Sequence, residues 1–253
     1  MSRANANVER RAQLHAAVGE PMRLAIVDWL MVGDAAPREL SDHFGVATNL
    51  LAHHLRVLEE AGLIRRTRSE GDRRRTYVRF CLEDPTVRAV LGGCLPQSDV
   101  VRRRPPSRVV FVCTQNSARS QLAHAAWGLL SSVPSASAGT HPAIRVHPRA
   151  IAIGRRHNLP LSDAHTSYVR DVLRRGDLVV AVCDQAHEEL GALESAEPGV
   201  RLHWSVPDPV RIGTNAAFEN AYRDIADRVE RLVSIVATTS RQVTASDTES
   251  PTL

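Results

Sequence analysis

Val109-Val110-Phe111-Val112-Cys113-Thr114-Gln115-Asn116-Ser117-Ala118-Arg119-Ser120-Gln121 is the stretch from which the rest of this 253-residue chain is read. Val109 to Val112 form a short apolar run, the pattern of a fully buried strand, and the run ends at Cys113. From Ser117 onward the spacing turns helical, with Ala118, Leu122, Ala125, Ala126 and Leu129 on one side. The unit is therefore strand, tight loop, helix start. Such a loop turns successive backbone N–H groups inward and adds the positive end of a helix dipole, so residues 114–120 suit a tetrahedral oxyanion. The same groups stabilise a negative sulfur, and a sulfur nucleophile against a bound oxyanion implies attack on phosphorus or arsenic.

Cys113-x5-Arg119-Ser120, with Asn116 third after the cysteine, resembles the signature loop of low-molecular-weight tyrosine phosphatases and of the arsenate reductases built on the same fold. The resemblance implies that Cys113 is the nucleophile, that Arg119 holds the equatorial oxygens, and that Asn116 braces the loop. Thr114, Gln115, Asn116, Ser117, Ala118, Arg119 and Ser120 would then form the oxyanion cradle.

Composition sets the outer bounds. The length fits one large or two ordinary domains. There is no run of eighteen apolar residues and the N-terminus is polar, so neither a membrane span nor a secretory signal is expected. Four scattered cysteines do not make a disulfide framework; they fit a cytoplasmic protein with catalytic or metal-binding thiols. All 32 basic residues are arginine, which suggests a GC-rich genome. Residues 1–104 hold 17 of these arginines against 13 of the 28 acidic residues, so the whole net charge of +4 lies there. Nucleic acid is the natural partner for such a region.

Within that region, residues 8–18 and 21–32 read as amphipathic helices, 37–44 as a short helix opened by Pro37, and 48–61 as a further helix capped by Thr48. Gly45-Val46 makes the turn of a helix-turn-helix. Residues 63–68 and 73–81 alternate like two strands around Ser69-Glu70-Gly71-Asp72, a hairpin wing. The phrase from Leu50 to Ile64, with Glu20-Pro21-Met22-Arg23-Leu24 upstream, resembles the recognition helix and following turn of ArsR-type metalloregulatory repressors. That resemblance implies a homodimer on a palindromic operator. Thr48, Asn49, His53 and Arg56 would face the major groove, and Arg73, Arg74 and Arg75 on the wing would meet phosphates or a minor groove. Of the two helix histidines, His54 is the one expected to be a buried spacer. Residues 37–44 lack the cysteine pair of many arsenic-sensing relatives. Cys81 and Cys94 are the thiols from which an As(III) inducer site could be built, though As(III) favours three thiolates and two are visible.

Residues 96–107 are polar, basic and proline-containing, as a linker is. The expected organisation is thus a winged helix-turn-helix over 1–95, mainly α with a β-hairpin wing. A C-terminal α/β domain with a four-stranded parallel sheet follows over 108–238, and then a disordered tail over 239–253. In the second domain, Ser135 to Thr140 looks like the family's second strand with its Ala-Gly-Thr ending. Further strands are expected over 177–183 and 201–206, a helix over 148–157 and a closing helix over 214–237. Ser205-Val206-Pro207-Asp208-Pro209 matches the family's acid loop, which implies that Asp208 protonates the leaving oxygen.

Phosphatase and reductase differ in the second step: water clears a phosphocysteine, whereas a second thiol reduces a cysteine–arsenic adduct. Cys183 ends an apolar run where thioredoxin-linked reductases carry a resolving cysteine, but their further cysteine is absent near Leu190 and Gly191. The aromatic pair that grips phosphotyrosine is also missing, since Val210 and Arg211 follow Asp208-Pro209. Two routes stay open. A Cys113–Cys183 disulfide could be cleared by thioredoxin, or a small thiol (mycothiol with mycoredoxin, if the host is actinobacterial) could resolve Cys113 directly. The sequence reads as a DNA-binding, arsenic-responsive regulator fused to a thiol-dependent arsenate reductase without a tightly bound cofactor. Its rivals are a tyrosine or small-molecule phosphatase on the same loop, and a pure regulator that binds arsenate or phosphate without turnover.

Overall fold

The computed structural model describes residues 3–92, 106–192 and 201–246. The chain divides into two compact units whose main boundary falls between Gln97 and Ser98. The expected linker at 96–107 lies outside the described residues except for its last two. Among the described residues no helix is long and apolar enough to cross a membrane.

The first unit contains α1 (Arg3–Val18), α2 (Pro21–Val32), α3 (Pro37–Phe44), α4 (Thr48–Glu60), the hairpin β1 (Ile64–Arg68) and β2 (Thr76–Phe80), and α5 (Pro85–Gly92). Glu20 starts α2: its carboxylate accepts from the N–H groups of Met22 and Arg23, both at 3.0 Å, and those bonds hold its pKa low. The α3–α4 turn passes through Gly45 at φ 62°, a left-handed conformation that glycine adopts without strain. Leu14, Ile26, Val27, Leu40, Leu51, Leu55, Leu58 and Val78 meet in one core, and an antiparallel bridge from Ala35 to Val78 ties the α2–α3 connection to the hairpin. Two expectations are corrected. Thr48 is the first helical residue rather than the cap; Ala47 holds the cap position without a side-chain bond. The second wing strand begins at Thr76, paired with Arg68, so Arg73, Arg74 and Arg75 lie in the hairpin loop, where solvated charge outweighs weak alternation.

The second unit is a four-stranded, wholly parallel sheet in the order β4-β3-β5-β6, with β3 (Val109–Cys113), β4 (Ser135–Gly139), β5 (Leu178–Ala181) and β6 (Arg201–His203). The helices are α6 (Arg119–Leu130), α7 (Pro148–Arg156), α8 (Val169–Val172), α9 (Asp184–Ala192), α10 (Pro209–Ile212) and α11 (Asn215–Ser246). Every residue of β3 is buried, as a central parallel strand requires. Phe111 packs between Trp127 and Trp204 at ring distances of 5.9 and 5.8 Å. Phe218, Ala221, Ile225, Val229, Leu232 and Val236 form the buried stripe of α11. That helix continues through Ser246 into the stretch expected to be a disordered tail, because no Gly or Pro interrupts the chain between Gly213 and Pro251. Residues 247–253 lie outside the described residues.

Candidate active site and DNA-facing surface

The loop from Cys113 to Arg119 stands at the carboxyl end of the central strand, where parallel sheets place their ligands. Its carbonyls are drawn outward by the segment that follows β4. Thr140 N donates to Cys113 O at 3.2 Å, His141 N to Thr114 O at 2.8 Å, Ala143 N to Gln115 O at 2.9 Å, and His147 N to Ser117 O at 2.8 Å. These four bonds fix the path of the loop and satisfy its carbonyls within the fold. This strap, residues 140–147, was not singled out by sequence reasoning, because its backbone bonds leave no side-chain signature.

Side chains finish the frame. Asn116 takes φ 49°, a left-handed conformation in which asparagine is enriched. Its Nδ2 donates to Ser120 Oγ at 2.8 Å, and its Oδ1 accepts from Ser167 N at 2.8 Å. Ser120 Oγ lies 3.0 Å from Cys113 Sγ, so a hydroxyl is held against that sulfur. Gly139 lets β4 close against the loop: a Cβ there would lie 2.7 Å from Thr114 O and 2.9 Å from Asn116 N. The Ala-Gly-Thr ending is thereby explained by space.

Arg119 is buried, 7% exposed, and its Nη1 donates to Val206 O at 3.1 Å while Nη2 lies 3.4 Å from Asp208 Oδ1. Burial alone would push its pKa down, but the sulfurs of Cys183 and Cys113 and the Asp208 carboxylate outweigh that and raise it, so the guanidinium stays charged. Asp208 caps α10, accepting from Val210 N at 3.1 Å.

Cys183 stands just before α9, buried, with its Sγ 3.5 Å from Thr114 Oγ1 and 3.4 Å from Ala186 N. Burial pushes its thiol up, Arg119 pulls it down, and Cys113 pushes it up again; burial prevails. Thr114, Gln115, Arg119, Cys183, Gln185, Asp208 and Arg211 line one pocket. The structure thus brings Cys113, Arg119, Asp208 and Cys183 together. It adds Gln185 and Arg211, which neither strand periodicity nor the loop signature could have marked. The arrangement is suited to sulfur attack on a small oxyanion, with a cation, an acid and a second thiol at hand. Among the described residues lining this pocket none is aromatic.

In the first unit, Thr48, Asn49, His53 and Arg56 all fall on the exposed side of α4, while Leu51, His54, Leu55 and Leu58 face the core. His54 is buried, 3.4 Å from Glu20. Arg73, Arg74 and Arg75 are exposed. Cys81 is half-buried at the end of β2, where burial and then Glu83 push its thiol up. Cys94 lies outside the described residues. Among the described residues no group of three His, Cys, Asp or Glu could hold a metal ion.

Residues 108–244 match the family model for low molecular weight phosphotyrosine protein phosphatases, and residues 20–66 match that for bacterial regulatory proteins of the arsR family. The chain belongs to the low molecular weight phosphotyrosine protein phosphatase family and carries an arsR-type helix-turn-helix ahead of it. It is 38% identical over 109 residues to arsenate reductase 1 of Staphylococcus saprophyticus, covering 40% of this chain and 77% of that protein. It is 29% identical over 138 residues to the arsenate reductase of Halalkalibacterium halodurans, covering 53% of this chain and 96% of that one. A solved arsenate reductase in its oxidised state aligns with a TM-score of 0.45 at 24% identity, covering 51% of this chain and 98% of that one.

Proposed function

We propose that the second unit is an arsenate reductase and that the first is an arsenic-responsive, operator-binding regulator in the same chain. The observation that carries the reductase reading is Cys183, whose sulfur lies 3.5 Å from the hydroxyl of Thr114, the residue next to the nucleophile. Water suffices to clear a phosphocysteine, whereas a cysteine–arsenic adduct needs a thiol to reduce it, and the described lining residues offer a phosphotyrosine ring no aromatic partner.

In this reading the loop N–H groups and Arg119 hold the arsenate oxygens, and the Cys113 thiolate attacks arsenic. An oxygen leaves as water, protonated by Asp208, and a Cys113 S–As(V) bond forms. The Cys183 thiolate then attacks Cys113 Sγ. An S–S bond forms, the S–As bond breaks, and its electron pair passes to arsenic. Arsenic gains two electrons and departs as arsenite, while two thiols become one disulfide. Because the chain has no third cysteine near Leu190, an external reductant such as thioredoxin must clear that disulfide; mycothiol with mycoredoxin is the alternative donor, resolving Cys113 directly. The regulator half acts as a homodimer, reads a palindromic operator with Thr48, Asn49, His53 and Arg56, and meets phosphates with Arg73, Arg74 and Arg75. Arsenite is its inducer, and Cys81 and Cys94 are the candidate thiols. The setting that fits these thiols is the cytoplasm.

The test is arsenate turnover by the full chain and by Cys113→Ser, supplied separately with thioredoxin and with mycothiol plus mycoredoxin, beside hydrolysis of p-nitrophenyl phosphate. Cys113-dependent arsenite release supports the reductase. Brisk ester hydrolysis with no arsenite from either donor makes the domain a phosphatase. For the regulator half, equal operator affinity with and without arsenite removes the proposed coupling.

A further inference from the structure

A thiol that must reach a neighbouring sulfur depends on how firmly its backbone is held, and both flanks of Cys183 are tied to one residue. On the N-terminal side, Ala181 pairs with His203 across β5 and β6, and Trp204 N donates to Ala181 O at 2.8 Å. On the C-terminal side, Asp184 Oδ1, at the first position of α9, meets His203 Nε2 at 2.9 Å. One turn further on, the ring of His187 stacks on that of His203, with centroids 4.1 Å apart and planes 13° from parallel. Asp184 and His203 are each only 3% exposed. Burial would raise the Asp184 carboxyl, but the hydrogen bond and charge of His203, joined by bonds from Glu70 N (2.8 Å to Oδ2) and Ser205, outweigh it and hold its pKa low. Neither residue lines the pocket.

We propose that His203, acting through Asp184, is a positioning residue for Cys183: it fixes the first turn of α9 so that Ala186 N–H and the Thr114 hydroxyl hold the Cys183 sulfur towards the anion loop. Its use in turnover rests on the reductase reading, whereas the positional claim concerns only the two thiols. A buried Asp–His pair could equally serve stability alone. The two roles separate at the disulfide. Oxidised glutathione takes two electrons from Cys113 and Cys183, forming their S–S bond and releasing two reduced glutathione molecules. The equilibrium constant of that exchange is the effective concentration of one thiol at the other, and it reports orientation directly.

The experiment titrates the reduced full chain with defined ratios of oxidised and reduced glutathione, quantifying the Cys113–Cys183 disulfide by peptide mass spectrometry. Alkylation of Cys113 by iodoacetate, an anionic reagent that enters the loop, serves as the control. His203→Leu should lower the effective concentration by about tenfold or more, with Cys113 alkylation within about twofold of wild type. His203→Gln, whose amide can still donate to Asp184, should recover most of the loss. If His203→Leu does not fold, Asp184→Asn against His203→Gln carries the same comparison. Variants at the wild-type effective concentration would overturn the proposal, as would a loss shared equally by Cys113 alkylation. A wild-type chain that forms this disulfide with glutathione yet releases no arsenite keeps the positioning role and removes the reductase reading. A wild type that never forms it overturns the positioning role, while the reductase reading then stands or falls on arsenite release with the small thiol.

Discussion

Loop 113–120 and the outer face of α4 are both polar stretches expected to carry function, but they are held in opposite ways. In the loop nearly every group is committed: four carbonyls to the strap at 140–147, Asn116 to Ser120 and Ser167, Arg119 to Val206 and Asp208. On α4 the structure is fixed from behind, by Leu51, Leu55 and Leu58, and the outward residues are constrained mainly by helical geometry. A cradle for a developing charge has to be preorganised, because its donors must already point at the reacting centre. A surface that reads DNA can order its side chains on contact. Substitutions in the loop should therefore cost chemistry or stability, and substitutions on α4 should cost affinity while leaving the fold alone.

The largest expected effect is Cys113→Ser, which removes the proposed nucleophile; arsenite release should fall to background in a steady-state assay. Next comes Asp208→Asn, which withdraws the acid and should slow turnover by roughly 10²–10⁴-fold, with little change in thermal stability. Gly139→Ala should be smaller and of a different kind. The added methyl meets Thr114 O and Asn116 N, so about 1–3 kcal/mol of stability should be lost in denaturant titration, together with activity, because the loop itself must move. The smallest stability effect belongs to Arg56→Ala, within about 0.5 kcal/mol, yet it should weaken operator binding and, if its contact is to phosphate, lower the salt slope by about one. A large stability loss at Arg56 would break the contrast between the two regions.

What could be read from sequence follows the same division. Val109 to Val112 announce a buried strand by composition, and Cys113 with Arg119 after it announces an anion loop, whereas Asn116 and Asp208 are marked only by the resemblance to the phosphatase and reductase signatures. The alternation of core leucines with exposed Thr48, Asn49, His53 and Arg56 was equally plain on α4. The strap at 140–147 was not legible, since its work is done by backbone N–H groups that any residue but proline supplies. The second wing strand begins at Thr76 and not at Arg73, because three consecutive arginines fit an alternating pattern yet stay exposed in the hairpin loop. The closing helix runs past residue 237 to Ser246, because the polarity that suggests a tail there brings no residue that ends a helix.

Cys183 is where the account is most exposed. Its thiol is raised by burial, so at neutral pH it is held mostly protonated, and the thiolate fraction grows as pH climbs through and beyond the ordinary thiol range near about 8.5. The disulfide-forming step should accelerate with rising pH for that reason.

The most direct measurement is a single turnover with arsenate and no external reductant, following arsenite release together with the Cys113–Cys183 disulfide by mass spectrometry. Up to one arsenite per chain is expected, matched by one such disulfide, at a rate that rises with pH and vanishes in Cys183→Ser. Arsenite formed at an unchanged rate in Cys183→Ser, or released only when a small thiol is added, would contradict this and leave Cys183 as a buried strand-end thiol.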